Sequence, residues 1–178
     1  MPLRPAPSTC SVRPGNPYPA VVARLHQINV SDGGVPKLPV SRAVVDEKGL
    51  VGDRQQDTRH HGGPDQALCL FSLEVIQRLQ EEGHPIEAGH AGENLTIEGL
   101  DWAEVVPGTR WRVGTRAEIE ITGYTSPCHK NAGWFVEGDY TRMLQSRHPG
   151  DSRVYARVLA PGPITQGDEV VRLPTTGP

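Results

Sequence analysis

Cysteine is scarce in this chain, basic charge is not in excess, and no apolar run is long. The three cysteines of the 178 residues, Cys10, Cys69 and Cys128, are far apart and form no CxxC. That spacing excludes a thiolate zinc or iron–sulfur framework and fits a reducing compartment. Lys and Arg total 18 against 21 Asp and Glu, a net charge of -3. A phosphate backbone demands a basic face, so a nucleic-acid partner is not expected. No stretch approaches the ~18 apolar residues of a membrane span, and no membrane role is expected. The opening MPLRPAPSTCSVRPGNPYPA is Pro-rich without an apolar core, so it does not read as a secretory signal. A cytoplasmic protein is the expectation. Leu173 to Gly177 spell LPTTG, a cell-wall sorting pentapeptide, but only Pro178 follows, and the bland reading is a frayed tail. There is no GxGxxG after a strand, no GxxxxGK[ST] and no GxSxG, so nucleotide, P-loop and serine-hydrolase readings have no support.

What is present is an ordinary globular composition. Apolar residues make up 36%, and 20 glycines bring the share into the usual range. The length predicts one domain. Residues 1–19 read as a Pro-rich arm, 20–173 as the domain and 174–178 as a tail. Strands are predicted over VVARLHQINV (21–30), LPVSRAVVD (38–46), ALCLF (67–71), ENLTIEGL (93–100), SRVYARVLA (152–160) and DEVVRL (168–173). TRWRVG (109–114) and AEIEITG (117–123) alternate and sit two residues apart, as a hairpin does. One helix follows Ser72, with Leu73, Val75, Ile76 and Leu79 as its apolar stripe and Gly83 as its stop. A second, short helix is predicted within 138–147, and PGPITQGDEV as a turn-rich connection. Seven or eight short strands without a helix between each pair favour a β-barrel, closed or partly open, with one or two peripheral helices.

Three polar stretches carry the candidate chemistry. VGDRQQDTRHHGGPDQALCLFS (51–72) gathers Asp53, Arg54, Asp57, Arg59, His60, His61 and Asp65 around Gly52, Gly62 and Gly63, beside a buried strand. Gly-rich turns present consecutive backbone N–H groups to anions, and arginines grip phosphate in a fork. The competing reading is a surface loop of salt bridges worth little. GHAGENL (89–95) is another Gly-rich turn, whose Glu93 and Asn94 serve either turn chemistry or a ligand. SPCHK (126–130) places Cys128 in a loop at a sheet mouth beside Lys130. Cations favour the thiolate, the nucleophilic and metal-ligating form; the alternative is a thiol packed as a small hydrophobe. Cys69 reads as core. A zinc site on His60, His61 and His129 is not expected, because none has the HxxxH spacing.

Taken in order, GDRQ (52–55), HHGGPDQAL (60–68), AGENL (91–95) and SPC (126–128) resemble the MOSC domain, named from the C-terminal part of molybdenum-cofactor sulfurase. YARVLAPGPITQGDEV (155–170) is similar to the family's closing segment, and small stand-alone bacterial members look closest. The resemblance implies a β-rich barrel of the pyruvate-kinase β-barrel-like kind, with a molybdenum–pterin cofactor (molybdopterin form) at one mouth. Cys128 maps onto the family's cysteine, which ligates molybdenum or, in sulfurase-linked members, is proposed to carry sulfur; thiolate is a soft ligand suited to such a metal. By the same resemblance, Gly52, Asp53, Arg54, His61, Gly62, Gly63, Asp65, Glu93 and Asn94 line the pocket. Arg54, Arg59 and Lys130 would pair with the cofactor's phosphate, and Glu93 or Asp53 with pterin nitrogens. His61 would donate a proton to substrate or hold the loop. Relatives reduce N-hydroxylated compounds, which here would require a separate flavin or iron–sulfur reductase partner. The alternative is a non-catalytic carrier of sulfur or cofactor on a Cys128 persulfide. Pyridoxal phosphate, found in fused relatives, is not expected in this chain.

Overall fold

Alternating apolar residues dictate strands along most of the chain. A computed structural model describes residues 22–54 and 63–174. Its strands are β1 (Arg24–Val30), β2 (Leu38–Val40), β3 (Arg42–Asp46), β4 (Gly49–Leu50), β5 (Leu68–Ser72), β6 (Leu95–Glu98), β7 (Arg110–Val113), β8 (Ala117–Tyr124), β9 (Val154–Ala160), β10 (Gly162–Thr165) and β11 (Val170–Leu173). One α-helix, α1 (Leu73–Glu81), and several short 3-10 turns complete them. No helix among the described residues is long and apolar enough to cross a membrane.

Eight strands form one sheet in the order β11-β7-β8-β9-β5-β6-β1-β2; β10-β3-β4 form a second. The ladders are antiparallel except β5–β6, where Leu70 pairs with Leu95 in parallel. A parallel pair needs a crossover, and α1 supplies it. Ser72 caps α1 by accepting from the Val75 N–H at 3.2 Å, and Glu74 returns to the Gly99 N–H at 2.6 Å, tying the helix to the end of β6. Val75, Ile76 and Leu79 bury the inner face of α1. They join Leu25, Ile28, Phe71, Leu95, Ile97, Ile119 and Ile121 in one core.

The large sheet curls toward a barrel but does not close. No ladder joins β11 to β1; the Arg24–Glu169 bridge stands alone. Three backbone bonds accompany it: Leu25 N to Asp168 O at 2.8 Å, Gly167 N to Leu25 O at 2.8 Å and Val170 N to Ala23 O at 2.9 Å. The reason lies in β1. One side is occupied by β6, and the far end of the other side is taken by β2, from Ile28 to Val30. Only the first residues of β1 remain for the chain that leads into β11.

Other expectations shift locally. LPVSRAVVD breaks at Ser41, so that β2 joins the large sheet and β3 the small one. The turn-rich connection contains β10, paired with β3 from Gly162–Val45 to Thr165–Arg42. The second helix is only a 3-10 turn at Tyr140–Met143, capped by Asp139, with Met143 its one buried residue. A single turn with so little apolar face does not propagate a helix. It is pinned instead by charge. Arg142 bonds the Glu82 carboxylate at 2.6 and 2.7 Å and Asp151 at 2.6 Å, fastening residues 139–151 to the end of α1.

Gly49 lets β4 approach β5. Its φ is +124°, and a Cβ there would lie 2.2 Å from the Ala67 carbonyl oxygen. Gly49→Ala combines a strained φ with a backbone clash, and we expect a loss of about 2–4 kcal/mol. A denaturant midpoint equal to that of the native chain would refute this packing.

Candidate functional site

The turn after β4 delivers Asp53 and Arg54 to the mouth of the sheet. Asp53 is a hub. Its Oδ1 accepts from the Ser31 N–H at 2.8 Å, and its Oδ2 accepts from Asn94 Nδ2 at 2.8 Å and from the Lys37 ammonium. With side-chain exposures of 10% for Lys37 and 5% for Asp53, this pair lies in low dielectric and is fully bonded. The Arg54 N–H donates to the Ser31 carbonyl at 2.8 Å, while its guanidinium meets Asp32 at 2.9 Å in the open.

Glu93 and Asn94, adjacent in sequence, do different things. Asn94 ties two strands together. Its N–H donates to the Cys69 carbonyl at 2.7 Å, its Oδ1 accepts from the Cys69 N–H at 3.1 Å, and its carbonyl accepts from the Asn29 N–H at 2.7 Å. Glu93 is fully buried. Its Oε1 accepts from the Gly89 N–H at 2.6 Å and from the Thr96 hydroxyl at 3.0 Å, but its Oε2 has no partner. Burial pushes its carboxyl up from the ordinary value, against these bonds and the Arg153 charge. Gly89 is held at φ +89°, where a Cβ would lie 2.4 Å from the Lys37 carbonyl oxygen. Only glycine allows the two segments to meet.

Between these segments and the loop after β8 lies a cleft of about 130 Å³. Its lining comes from Ser31, Gly34, Val35 and Lys37 after β1, from Arg54, and from Gln66 and Cys69 around the start of β5. Ala91, Gly92 and Asn94 before β6, Ser126 to Asn131 after β8, and Arg153 and Tyr155 at β9 complete it. Among the described residues, four that line the cleft are cations, Lys37, Arg54, Lys130 and Arg153, and none is a carboxylate. Cys128 is half-buried and opens the 3-10 turn His129–Trp134. Asn131, in that turn, accepts weakly from the Cys128 N–H at 3.5 Å and donates to the Ala91 carbonyl at 3.3 Å. The Arg153 guanidinium donates to the same carbonyl. Burial pushes the Tyr155 hydroxyl up to about 12, with the Cys69 and Cys128 thiols acting in the same direction, so the phenol keeps its proton at neutral pH.

The structure thus brings Arg54, Asn94, Cys128 and Lys130 to one cleft. It sets Asp53 and Glu93 behind the wall, engaged with scaffold groups. Gly52 and Gly63 serve turns at φ +93° and +92°, and Asp65 sits outside the lining, 3.4 Å from Arg157. Arg59, His60, His61 and Gly62 lie outside the described residues. Among the described residues, no three His, Cys, Asp or Glu side chains gather to hold a metal. Sequence reasoning missed Lys37, Asn131, Arg153 and Tyr155. The only signals were a lysine just before a strand and an arginine opening one. Cys69 is buried as expected, yet it also lines the cleft, and burial pushes its thiol up.

Comparison with known proteins places the chain in a family. A family model described as MOSC domain matches residues 57–171. The chain is 32% identical over 136 residues to "Uncharacterized protein YflK" of Bacillus subtilis, covering 75% of this chain and 60% of the relative. It is 33% identical over 123 residues to "Protein YiiM" of Escherichia coli, covering 67% of this chain and 54% of the relative. It therefore spans little more than half the length of these curated relatives. The crystal structure of YiiM from Geobacillus stearothermophilus superposes with a TM-score of 0.69 at 28% identity, over 85% of this chain and 75% of that one.

Glu93 gives a pH-dependent prediction. A carboxyl raised in the folded state stabilises the fold below its unfolded pKa, and that contribution is lost as pH rises through the folded value. Glu93→Gln removes this term. Thermal melts from about pH 4 to about pH 8 should therefore show the variant gaining stability relative to the native chain as pH rises. A difference that stays constant, or that moves against the variant as pH rises, would contradict the burial of an ionisable Glu93.

Proposed function

The chain belongs to the MOSC domain family, and from that premise we propose that it binds a molybdenum–pterin cofactor and reduces N-hydroxylated compounds. The observation that carries the reading is a half-buried Cys128 thiol in a cleft whose described lining holds four cations and no carboxylate. The donor set fits such a group. A thiolate is a soft ligand for molybdenum, and Lys and Arg side chains neutralise a phosphate-bearing anion. Cys128 would hold the metal, while Arg54 and Lys130, with Arg59 from outside the described residues, would pair with the phosphate. Neither Asp53 nor Glu93 lines the cleft, so pterin nitrogens would meet the Asn94 and Asn131 amides and nearby backbone instead.

When bound, the cofactor supplies a two-electron centre suited to taking oxygen from an N–OH group. The overall reaction, R–NHOH plus two electrons and two protons giving R–NH2 plus water, balances with electrons from a separate flavin or iron–sulfur reductase. This chain's own residues bind, orient and supply a proton. Tyr155, its hydroxyl pushed up to about 12, lines the cleft and keeps its proton at neutral pH, so it offers a hydrogen bond to a bound group rather than the proton itself. His61 remains the candidate proton donor.

A second reading, transfer of sulfur or cofactor by a Cys128 persulfide without turnover, uses the same thiol. Two thiols in one cleft favour keeping it in view. Metal and pterin content separates the readings. Native protein from a host that makes the cofactor should carry about one molybdenum and about one pterin per chain, and Cys128→Ser should lose the metal. Turnover of a hydroxylamino base with an artificial electron donor then selects the reductase. Absence of molybdenum from both proteins would overturn it, and persulfide on Cys128 would select the carrier.

A further inference from the structure

Among the described residues, Arg153 is a buried cation with no ion-pair partner. It precedes β9 and is 8% exposed. Its guanidinium donates to the Ala91 carbonyl, and its Nε is enclosed with no hydrogen-bond partner. Among the described residues no carboxylate pairs with it. The contrast with Arg142 is direct. That side chain, also mostly buried, is held between the Glu82 and Asp151 carboxylates. Glu93 feels the Arg153 charge, but its bonded oxygen is committed to Gly89 and Thr96. A buried charge left unpaired is costly, and proteins keep one where a partner arrives from outside. Arg153 lines the cleft beside Cys69, Tyr155 and Cys128, so a ligand reaches it from there.

We propose that Arg153 forms an inner anion subsite on the cleft floor, which takes a compact oxyanion group such as a phosphate or carboxylate. The guanidinium fork suits such a group, and the thiol of Cys69 and the hydroxyl of Tyr155 border it. The subsite uses a different cation of the same cleft from Arg54 and Lys130, the residues assigned above to the cofactor's phosphate. It rests on the cofactor reading only for the identity of the molecule that brings the anion, either the cofactor itself or an acidic substrate.

The test uses the full chain from a host that lacks the cofactor, with inorganic phosphate as probe and titration calorimetry as readout. Native protein binds phosphate saturably. Arg153→Gln binds it about tenfold or more weakly, while Arg116→Gln, at an exposed position outside the cleft, binds as the native chain does. No saturable binding by the native chain, or equal binding by Arg153→Gln, overturns the subsite. Should Arg153→Gln fail to fold, the Nε–H resonance of Arg153 in the native chain decides. It shifts on phosphate addition if the subsite exists, and an unmoved resonance at saturating phosphate overturns it. Repeating the titration on cofactor-loaded protein identifies the source. Lost phosphate binding assigns the subsite to the cofactor, and retained binding assigns it to an anionic substrate. Because the probe is read without cofactor, its failure leaves the molybdenum reading on Cys128 untouched, and the reverse also holds.

Discussion

The Asp53 carboxylate is the interaction on which the cleft depends. It is nearly enclosed and bonded from three directions, by the Ser31 backbone, the Lys37 ammonium and the Asn94 amide. Those partners come from the end of β1, from the segment leading into β2 and from the start of β6. Asn94 then passes the constraint to Cys69 on β5 through a two-way backbone and side-chain exchange. One buried acid thus links four segments at the ends of the ladders that join β1, β2, β5 and β6. Removing it would strand a buried lysine, the costlier half of breaking such a pair.

Satisfying Asp53 with scaffold groups has an electrostatic consequence. Its charge is consumed behind the wall, and Glu93 is buried too deeply to offer a charge to the cleft. The surface that remains presents cations, amides and thiols. Such a lining favours an anionic ligand, and it places the Cys128 sulfur where a soft metal carried by that ligand would meet it. The Ala91 carbonyl keeps the two sides in register, because it accepts from both Asn131 beside Cys128 and Arg153 beside β9.

Much of this was legible in the chain. The alternation in 117–123 and the Ser72 cap define β8 and α1, and four short motifs in order identify the family. Sequence placed Cys128 in a loop after a strand because Pro127 and a polar turn follow the alternating run. What sequence could not show was direction. Asp53 and Arg54 are neighbours with opposite fates, one inward as a hub and one toward solvent, whereas Glu93 and Asn94 are both buried and only Asn94 lines the cleft. Burial of a carboxylate depends on partners up to 41 residues away, as Asn94 is from Asp53, and no local pattern encodes them. The strand β10 was hidden for a related reason. Gly162 and Pro163 read as turn residues, and only pairing with β3 makes them extended. The open barrel likewise follows from competition for one strand, β1, which periodicity cannot reveal.

The most direct test is an anomalous difference map at the molybdenum absorption edge, from crystals of the chain purified from a cofactor-making host. The account predicts a single molybdenum peak within bonding distance of the Cys128 sulfur, inside the cleft bounded by Lys37, Asn94 and Arg153. A molybdenum peak elsewhere, or bound pterin with the Cys128 thiol unligated, would contradict it.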